Sequence, residues 1–320
     1  MSAANTRVVV VGAGPIGASI AVDVARRPEL RLVAVVDLDP KKLGSEIAGV
    51  RVQGSVAEVD ADVAVVCTTS SFVGIVPTLR ACLARGLHVV STCEQLVWPW
   101  HTHKELAAVV DDEARAAGKA IVGTGVNPGF LMDALPVFLT AISARVDSIS
   151  VVRAQDASTR RIPFQNKIGI GLQMHEWNQS VAAGGFLHQG LQESAALIAQ
   201  ATGLTGTFKQ WDSPSMDLNG QIDGVSQEVR VIDAAGVVRL SLVFEARLLH
   251  PNPRDEIVVE GEPGMKLITR GVHGDVATRA IAVNAIGAVV RAAPGLRSML
   301  DLPLPVGQFS GGNAPVSQQA

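Results

Sequence analysis

The chain has 320 residues, 48% of them hydrophobic and 18% charged, so it can bury a large core, and its length favours two domains. Its net charge of −3 leaves no basic excess for a nucleic-acid backbone, and no apolar run reaches the ~20 residues that a membrane span requires. Three cysteines without CxxC spacing, and a first stretch without the features of a secretory signal, favour a reducing, cytoplasmic setting.

The first part of the chain alternates short β-branched runs with longer amphipathic stretches, which is typical of βαβ units. Strands are predicted at 8–11, 32–36, 63–66, 87–90 and 120–122, and helices at 16–26, 73–84 and 104–117. Gly86 and Gly118 stand where helices commonly end. Because the strands are continuous apolar runs, we expect a Rossmann-type, doubly wound parallel sheet that is buried on both faces.

The pattern changes after Asn127-Pro128-Gly129 to that of an α+β domain. A strand is predicted at 148–153, helices at 172–182 and 189–201, and a mainly antiparallel sheet after them. Apolar and polar residues alternate along 237–247, which predicts a sheet with one face in water, and a further strand is expected at 256–260. A final apolar helix at 275–292 is expected to pack between the two halves.

These patterns predict four regions of the chain. They are a dinucleotide-binding domain over 1–133, an α+β substrate and dimerisation domain over 134–274, a C-terminal helix and segment over 275–309 that packs back between the domains, and a flexible tail over 310–320. The exposed edge of the antiparallel sheet and the apolar final helix favour a homodimer.

A Gly-x-Gly-x-x-Gly sequence follows the first strand and opens the first helix. Gly12 permits a tight turn, Gly14 lets a pyrophosphate approach the backbone, and Gly17 lets the helix pack on the strand. Pro15 and Ile16 begin the helix, whose N-terminal N–H groups attract phosphate. In this context the loop predicts a dinucleotide cofactor.

Asp37 ends the second strand, where a carboxylate binds the ribose hydroxyls. Its charge repels a 2′-phosphate and favours NAD, whereas Lys41 and Lys42 offer an opposing attraction and keep NADP open. A solvated first turn of helix is the alternative for the two lysines.

The predicted strands 63–66 and 87–90 are followed by residues that we expect on the nicotinamide side of the cofactor: Thr68, Thr69, Ser70, Thr92 and Cys93. Capping of the following helix is the alternative for the three residues at 68–70. The side chains of Cys67 and Cys93 are interpreted as packing groups rather than nucleophiles, since neither has a base nearby in the sequence.

Glu94 is the best candidate for the group that handles the substrate. Ligands of open parallel sheets bind beyond the carboxyl ends of the strands, and Glu94 follows the run at 87–90. The chain has no tyrosine, so acid–base work falls to Glu, Asp, His, Lys or water. Burial is expected to raise the pKa of Glu94 toward the working range. A helix-capping or surface role is the alternative.

The chain resembles the 2,4-diaminopentanoate dehydrogenases and related native amine dehydrogenases, whose cofactor domain is similar to that of dihydrodipicolinate reductase. The resemblance covers most of the chain and rests on Ser91-Thr92-Cys93-Glu94-Gln95 and on residues 123–133, 161–169, 274–286, 294–296 and 301–303. It implies an NAD(P)-dependent, reversible deamination of a small aliphatic amine or diamino acid to a ketone or aldehyde plus ammonia, with Glu94 beside the reacting carbon.

Other residues are candidates for the cofactor or substrate site. Asn127 lies in a rigid turn and is expected to contact nicotinamide or substrate, while Phe130 and Met132 form pocket walls or, alternatively, core. The resemblance places a polar stretch near the cleft between the two domains: Arg160, Arg161, Gln165, Asn166 and Lys167. One of its cations is expected to bind a substrate carboxylate, and a surface ion pair is the alternative for each. His188 is the best-placed histidine, ahead of His175 and His250, with a structural role as the alternative.

Gln95 follows the glutamate, where similar sugar dehydrogenases carry the lysine of Glu-Lys-Pro. Its presence argues against alcohol oxidation and agrees with nitrogen chemistry. The alternatives are an imine reductase like dihydrodipicolinate reductase, although its basic, His-rich substrate motif is not found, and a dinucleotide sensor without turnover. No spacing of His, Cys, Asp and Glu matches a metal site, so no metal is expected.

Overall fold

The computed structural model describes residues 5–184 and 186–308, and the tail predicted at 310–320 lies outside them. The first half of the chain forms β1 (Thr6–Val11), α1 (Pro15–Ala25), β2 (Leu30–Val36), β3 (Glu46–Ile47), β4 (Val50–Gln53), β5 (Val63–Val66), α2 (Phe72–Ala84), β6 (His88–Ser91), α3 (Lys104–Ala116) and β7 (Ala120–Gly123).

The second half begins with α4 (Ala134–Thr140), β8 (Arg145–Asp156), α5 (Ile162–Lys167), α6 (Met174–Ala183) and α7 (Leu191–Thr202). It continues with β9 (Thr207–Met216), β10 (Ile222–Ile232), β11 (Val238–Arg247), β12 (Arg254–Glu262), β13 (Met265–Thr269), α8 (Gly274–Val290) and β14 (Gly295–Arg297). Of these, α4, α5 and the short strands β3, β4, β13 and β14 were not predicted, because elements of two to seven residues carry little periodicity. The longer strands β9 and β10 were expected only as part of the antiparallel region, without bounds.

The first sheet has the strand order β14-β7-β6-β5-β1-β2-β4-β3 and is parallel except for the β3–β4 pair. Alternate residues of each strand point to opposite faces, so Val9 and Val11 join the core under α2 and α3, while Val8 and Val10 join the core under α1 and α8. The predicted doubly wound sheet is therefore confirmed, and the carboxyl ends of its parallel strands form one edge.

The second sheet has the order β13-β12-β8-β11-β10-β9, with β8 and β11 parallel and the other neighbours antiparallel. Along β11, Leu240, Leu242 and Phe244 are buried against α7, while the residues between them face outward. The predicted α+β unit with one solvent-facing side is confirmed.

The final helix α8 packs mainly against α1 and the first sheet, and its first turn reaches the second unit. Its small residues, such as Ala282 and Ala285, allow this close approach, and β14 then extends the same sheet beside β7. Asp275 in its first turn contacts Arg160 of the second unit. The apolar face of α8 is thus buried within the chain and offers no support for the expected homodimer. Among the described residues, no helix has the length and apolar character of a membrane span.

Candidate active site

The glycine loop leaves an open space in front of α1. Gly12 has a φ of +97°, and a Cβ there would lie 2.6 Å from the Cys67 carbonyl oxygen. A Cβ on Gly17 would lie 1.8 Å from the Gly12 oxygen, whereas one on Gly14 would meet no atom within 4 Å. Because α1 begins at Gly14 without a side-chain cap, its N–H groups are available to a ligand. The loop therefore fits a pyrophosphate.

Asp37 lies beside this loop in a cavity of about 570 Å³. Its carboxylate accepts hydrogen bonds from the backbone N–H groups of Ala13 (2.6 Å) and Asp39 (2.9 Å) and from Lys42 Nζ (2.9 Å). Burial acts to raise the pKa of Asp37, but these donors bring it below its ordinary value. The ionised carboxylate suits ribose hydroxyls, and Lys42, rather than the exposed Lys41, is the lysine paired with it.

Substitution of two loop glycines separates folding from cofactor binding. We expect Gly14→Ala to leave the thermal midpoint nearly unchanged but to weaken NADH binding about tenfold, since its methyl group enters the open space. Gly17→Ala, which collides with the Gly12 carbonyl, is expected to lower the thermal midpoint itself. Calorimetry and NADH fluorescence titration measure both effects, and a Gly14→Ala protein with undiminished affinity would contradict the assigned loop.

A second cavity, of about 290 Å³, lies between the carboxyl edge of the first sheet and the second sheet, and we name it the cleft. The first half contributes predicted residues to its wall: Ile16, Thr68, Thr69, Ser70, Thr92, Glu94 and Asn127. The second half contributes Arg153, Gln155, Arg160, Phe164, Lys167, His188 and Phe244. The cleft therefore joins side chains that are far apart in the sequence.

Glu94 begins a short 3-10 turn three residues after Ser91, the last residue of β6. The turn is held in place by Gln95, whose Oε1 accepts a hydrogen bond from the N–H of Phe72 at the start of α2 (2.8 Å). The Glu94 side chain is 21% exposed, and its Oε2 lies 2.5 Å from Nζ of Lys167. Lys167 also donates to Ser70 Oγ at 3.1 Å. A lysine from α5 thus faces the glutamate.

The ion pair corrects two inferences drawn from the sequence. Burial acts to raise the pKa of Glu94, but Lys167, together with His188 and Ser70, outweighs it, so the pKa lies below its ordinary value rather than in the raised range that we expected. Gln95 occupies the position where sugar dehydrogenases carry their lysine, yet the site does contain a lysine. The fold supplies it from a segment 73 residues away.

His188 lies on the other side of the carboxylate, with Nδ1 at 3.8 Å from Oε1 of Glu94. Its ring stacks on Phe244 at a centroid distance of 4.4 Å, and its backbone N–H donates to Oε1 of the buried Gln227 (3.0 Å). Burial lowers the pKa of His188 to about 4, so the imidazole is uncharged at neutral pH.

Several buried polar atoms of the cleft have no partner within the described residues. They include both amide atoms of Asn127, Nε of Arg153 and of Arg160, and Nε2 of His188. A buried polar group without a hydrogen bond is unfavourable by about 1–3 kcal/mol, so such groups are placed to bind a ligand. Asn127, which shares the cleft wall with Thr124 and Glu94, therefore fits the amide of a nicotinamide or a polar substrate group.

The arginines of the cleft are held by carboxylates of the second half. Arg153 is buried and pairs with the equally buried Asp255, and its Nη2 donates to the Val272 carbonyl (2.9 Å). Arg160 donates to Asp275 (3.0 Å) and to Gln155. These contacts fix the positive groups at the wall opposite Glu94.

Some predicted site residues lie elsewhere. Met132 is buried in the core of the second unit, Cys93 in the core under α2 and α3, and Phe130 packs against the core under α1. Gln165 donates to the carbonyls of Ala157 and Arg160 instead of facing the cleft. Of the other candidates, Pro15, Asn166 and His175 are exposed, and His250 lies near Glu245. Arg161, in contrast, does line the cleft and lies 3.6 Å from Asp275.

The sequence reasoning missed Arg153 and Gln155. Both lie on β8, in the register of the buried Ile149 and Val151. A charged and an amide residue on the core-facing side of a strand are unusual unless paired, and this was the available signal. The prediction ended the strand at 153, so the register was not followed to the cleft.

Comparison with known proteins gives two family matches. The model of the 2,4-diaminopentanoate dehydrogenase C-terminal domain matches residues 130–216 and 244–314, and a CoA binding domain model matches residues 3–81, which contain the glycine loop. The 2,4-diaminopentanoate dehydrogenase of Acetoanaerobium sticklandii is 28% identical over 336 residues, covering 94% of either chain.

Two solved structures share the fold. The amine dehydrogenase from Mycobacterium smegmatis superposes with a TM-score of 0.84 at 22% identity, covering 95% of this chain and 98% of the other. A probable dehydrogenase from Thermotoga maritima superposes with a TM-score of 0.57 at 16% identity, covering 92% of both chains. At these identities the two structures establish the common architecture of the two units.

Proposed function

We propose that the chain, which is similar to the 2,4-diaminopentanoate dehydrogenases over most of its length, is an NAD(P)-dependent amine dehydrogenase. It would oxidise a small aliphatic amine or diamino acid to a ketone or aldehyde plus ammonia, and catalyse reductive amination in reverse. The observation that carries the proposal is the position of Glu94. Its carboxylate lies at the carboxyl edge of the parallel sheet and already accepts a hydrogen bond from the ammonium group of Lys167 at 2.5 Å.

The cofactor, when bound, supplies the acceptor or donor of hydride. The residues of the chain then handle nitrogen and charge. Glu94 neutralises an ammonium or iminium, which would otherwise be an unpaired charge buried beside the cations of the cleft, and it accepts a proton from the incoming nitrogen. His188 is uncharged and does not compete as a cation. Asn127 offers both a donor and an acceptor to the cofactor amide or the substrate.

We propose NAD as the preferred cofactor, with NADP accepted less well. The ionised Asp37 would repel a 2′-phosphate and accept hydrogen bonds from ribose hydroxyls. Lys42 partly neutralises that carboxylate, which favours some tolerance of NADP.

The substrate class follows from the size and charge of the cleft. A cavity of about 290 Å³ suits a small amine. The partnerless Nε atoms of Arg153 and Arg160 support a diamino acid, because a carboxylate would satisfy them. A plain aliphatic amine leaves them unsatisfied, so the two classes are distinguished by comparing matched amines with and without a carboxylate.

An NADH-consumption screen of small ketones and aldehydes tests the function. We expect oxidation of NADH only when excess ammonium is present, with faster consumption for NADH than for NADPH. Equal rates with and without ammonium would indicate a carbonyl reductase and contradict the proposal. Reduction of preformed cyclic imines, but no response to ketone plus ammonium, would instead support an imine reductase like dihydrodipicolinate reductase.

Two further proposals concern the surroundings of the protein. We propose that the protein forms a homodimer. The solvent-facing side of the second sheet supports this, since Trp211 there is 44% exposed. The molecular mass in solution tests the proposal. A reducing compartment such as the cytoplasm is supported by the unpaired thiols of Cys67, Cys82 and Cys93.

A further inference from the structure

The proposed reaction needs a second proton-transferring group besides Glu94, and the role of that group rests on the proposed function. After ammonia adds to a ketone, the hydroxyl of the resulting carbinolamine departs as water once it has accepted a proton. By then Glu94 has already accepted a proton from the ammonium ion that supplied the nitrogen. Another side chain of the cleft must therefore protonate the oxygen.

Most polar side chains of the cleft cannot serve as that acid. The guanidinium groups of Arg153 and Arg160 are held by carboxylates, and a guanidinium keeps its proton in proteins. His188 is uncharged at neutral pH, and burial raises the pKa of the Cys67 thiol to about 12. The chain has no tyrosine. Arg161 is a guanidinium as well, and the Asp275 carboxylate accepts a hydrogen bond from Arg160 (3.0 Å) and lies 3.6 Å from Arg161. The other polar groups are hydroxyls and amides, which are much weaker acids than an ammonium. Among the described residues that line the cleft, these exclusions leave the ammonium of Lys167.

Lys167 is also positioned for this role. It is the last residue of α5, its side chain is 24% exposed, and Nζ contacts both Glu94 Oε2 (2.5 Å) and Ser70 Oγ (3.1 Å). An ammonium has three N–H groups, so one remains for a ligand in the cleft. The two groups that would act on nitrogen and on oxygen are therefore in direct contact.

We propose that Lys167 is the catalytic acid that protonates the departing hydroxyl of the carbinolamine. An N–H bond of Lys167 breaks and an O–H bond forms. The C–O bond then breaks with its electron pair on the oxygen of water, and the nitrogen lone pair forms the C=N bond of the iminium. Lys167 becomes a neutral amine, and its positive charge passes to the iminium.

The contact between Lys167 and Glu94 closes the proton balance. Glu94 has taken one proton from the ammonium ion that supplied the ammonia, and it returns that proton to the neutral Lys167. The carboxylate is then ionised while it faces the iminium, and the pair is restored for the next turnover. In deamination the same steps run in reverse, with Lys167 accepting the proton of the attacking water.

Lys167→Met tests this role in the direction of deamination. Stopped-flow absorbance measures NADH formed in the first turnover, before water must add to the iminium, and steady-state assays measure kcat. We expect kcat to fall about 10²–10⁴-fold. The first turnover should slow far less, by the effect of losing the ammonium that favours the ionised form of Glu94, so a burst of one NADH per site appears. Unchanged kcat, or a first turnover slowed as much as kcat, would overturn the proposal.

Two variants make the result specific. Lys167→Arg keeps the positive charge and the ion pair but does not release a proton, so it should show the same burst. Recovery of kcat in this variant would indicate a purely electrostatic role of Lys167 and would also overturn the proposal. If Lys167→Met does not fold, Lys167→Arg provides the test of the proposal by itself. Lys104→Met, at an exposed position of α3, is the control for loss of a lysine. A wild-type protein that forms no NADH from any amine would refute the proposed function itself, not the role of Lys167.

Discussion

Glu94→Gln is expected to lower kcat/KM for an amine by about 10³-fold, while the affinity for NADH stays within about twofold of the wild-type value. The amide has nearly the same size as the carboxylate but carries no charge and accepts no proton. An ammonium or iminium in the cleft would then lack its anion, and Lys167 would lose its partner. Cofactor affinity is preserved because Asp37 and the glycine loop line a different cavity.

A second buried glutamate provides the control. Glu193 in α7 is 3% exposed and accepts a hydrogen bond from Thr102 Oγ1 at 2.8 Å, outside the cleft wall. Glu193→Gln should therefore leave kcat/KM within a few-fold of the wild type. If Glu94→Gln retained the activity of Glu193→Gln, the proposed acid–base role of Glu94 would be refuted.

The largest effect on stability is expected at the buried ion pair. Asp255 is 3% exposed and accepts hydrogen bonds from Arg153, from Thr269 Oγ1 (3.0 Å) and from the N–H of Val272 (2.8 Å). Asp255→Ala leaves the guanidinium of Arg153 buried without an anion, and we expect the free energy of unfolding to fall by about 3–5 kcal/mol. Urea unfolding followed by circular dichroism measures the loss.

Two further variants show whether the unpaired charge of Arg153 causes the loss of stability. Asp147→Ala breaks an exposed pair with Arg145 and should leave the urea midpoint nearly unchanged. The double variant Arg153→Met/Asp255→Leu removes both charges and should recover most of the stability that Asp255→Ala loses, since no buried charge is left alone. A double variant as unstable as Asp255→Ala would assign the loss to packing instead.

Much of the fold could be predicted because its signals are local. Strands that are apolar on both faces and helices that end in glycine predicted the first sheet, and alternation along β11 predicted the one-sided second sheet. The placement of α8 was harder to predict. An Ala-rich helix fits many surfaces, and its contact with α1 depends on close approach between elements far apart in the chain.

By itself, the sequence determined the residues whose role follows from neighbours in the chain. Gly12, Gly14 and Gly17 are required by one strand–turn–helix junction, Asp37 ends the next strand, and Glu94 follows the strand that brings it to the sheet edge. Each of these positions is specified by periodicity within about thirty residues, the span of one βαβ unit.

Tertiary structure alone decided which charges meet. Lys167 reaches Glu94 from a separation of 73 residues because the second sheet is set against the carboxyl edge of the first. Arg153 meets Asp255, 102 residues away, because β8 and β12 pair in a register that places the two residues opposite each other. Such pairings depend on how distant strands and units are placed, which no local period encodes. The contact with Lys167 also contributes most to reversing the expected shift in the pKa of Glu94, since this ammonium, His188 and Ser70 together outweigh desolvation.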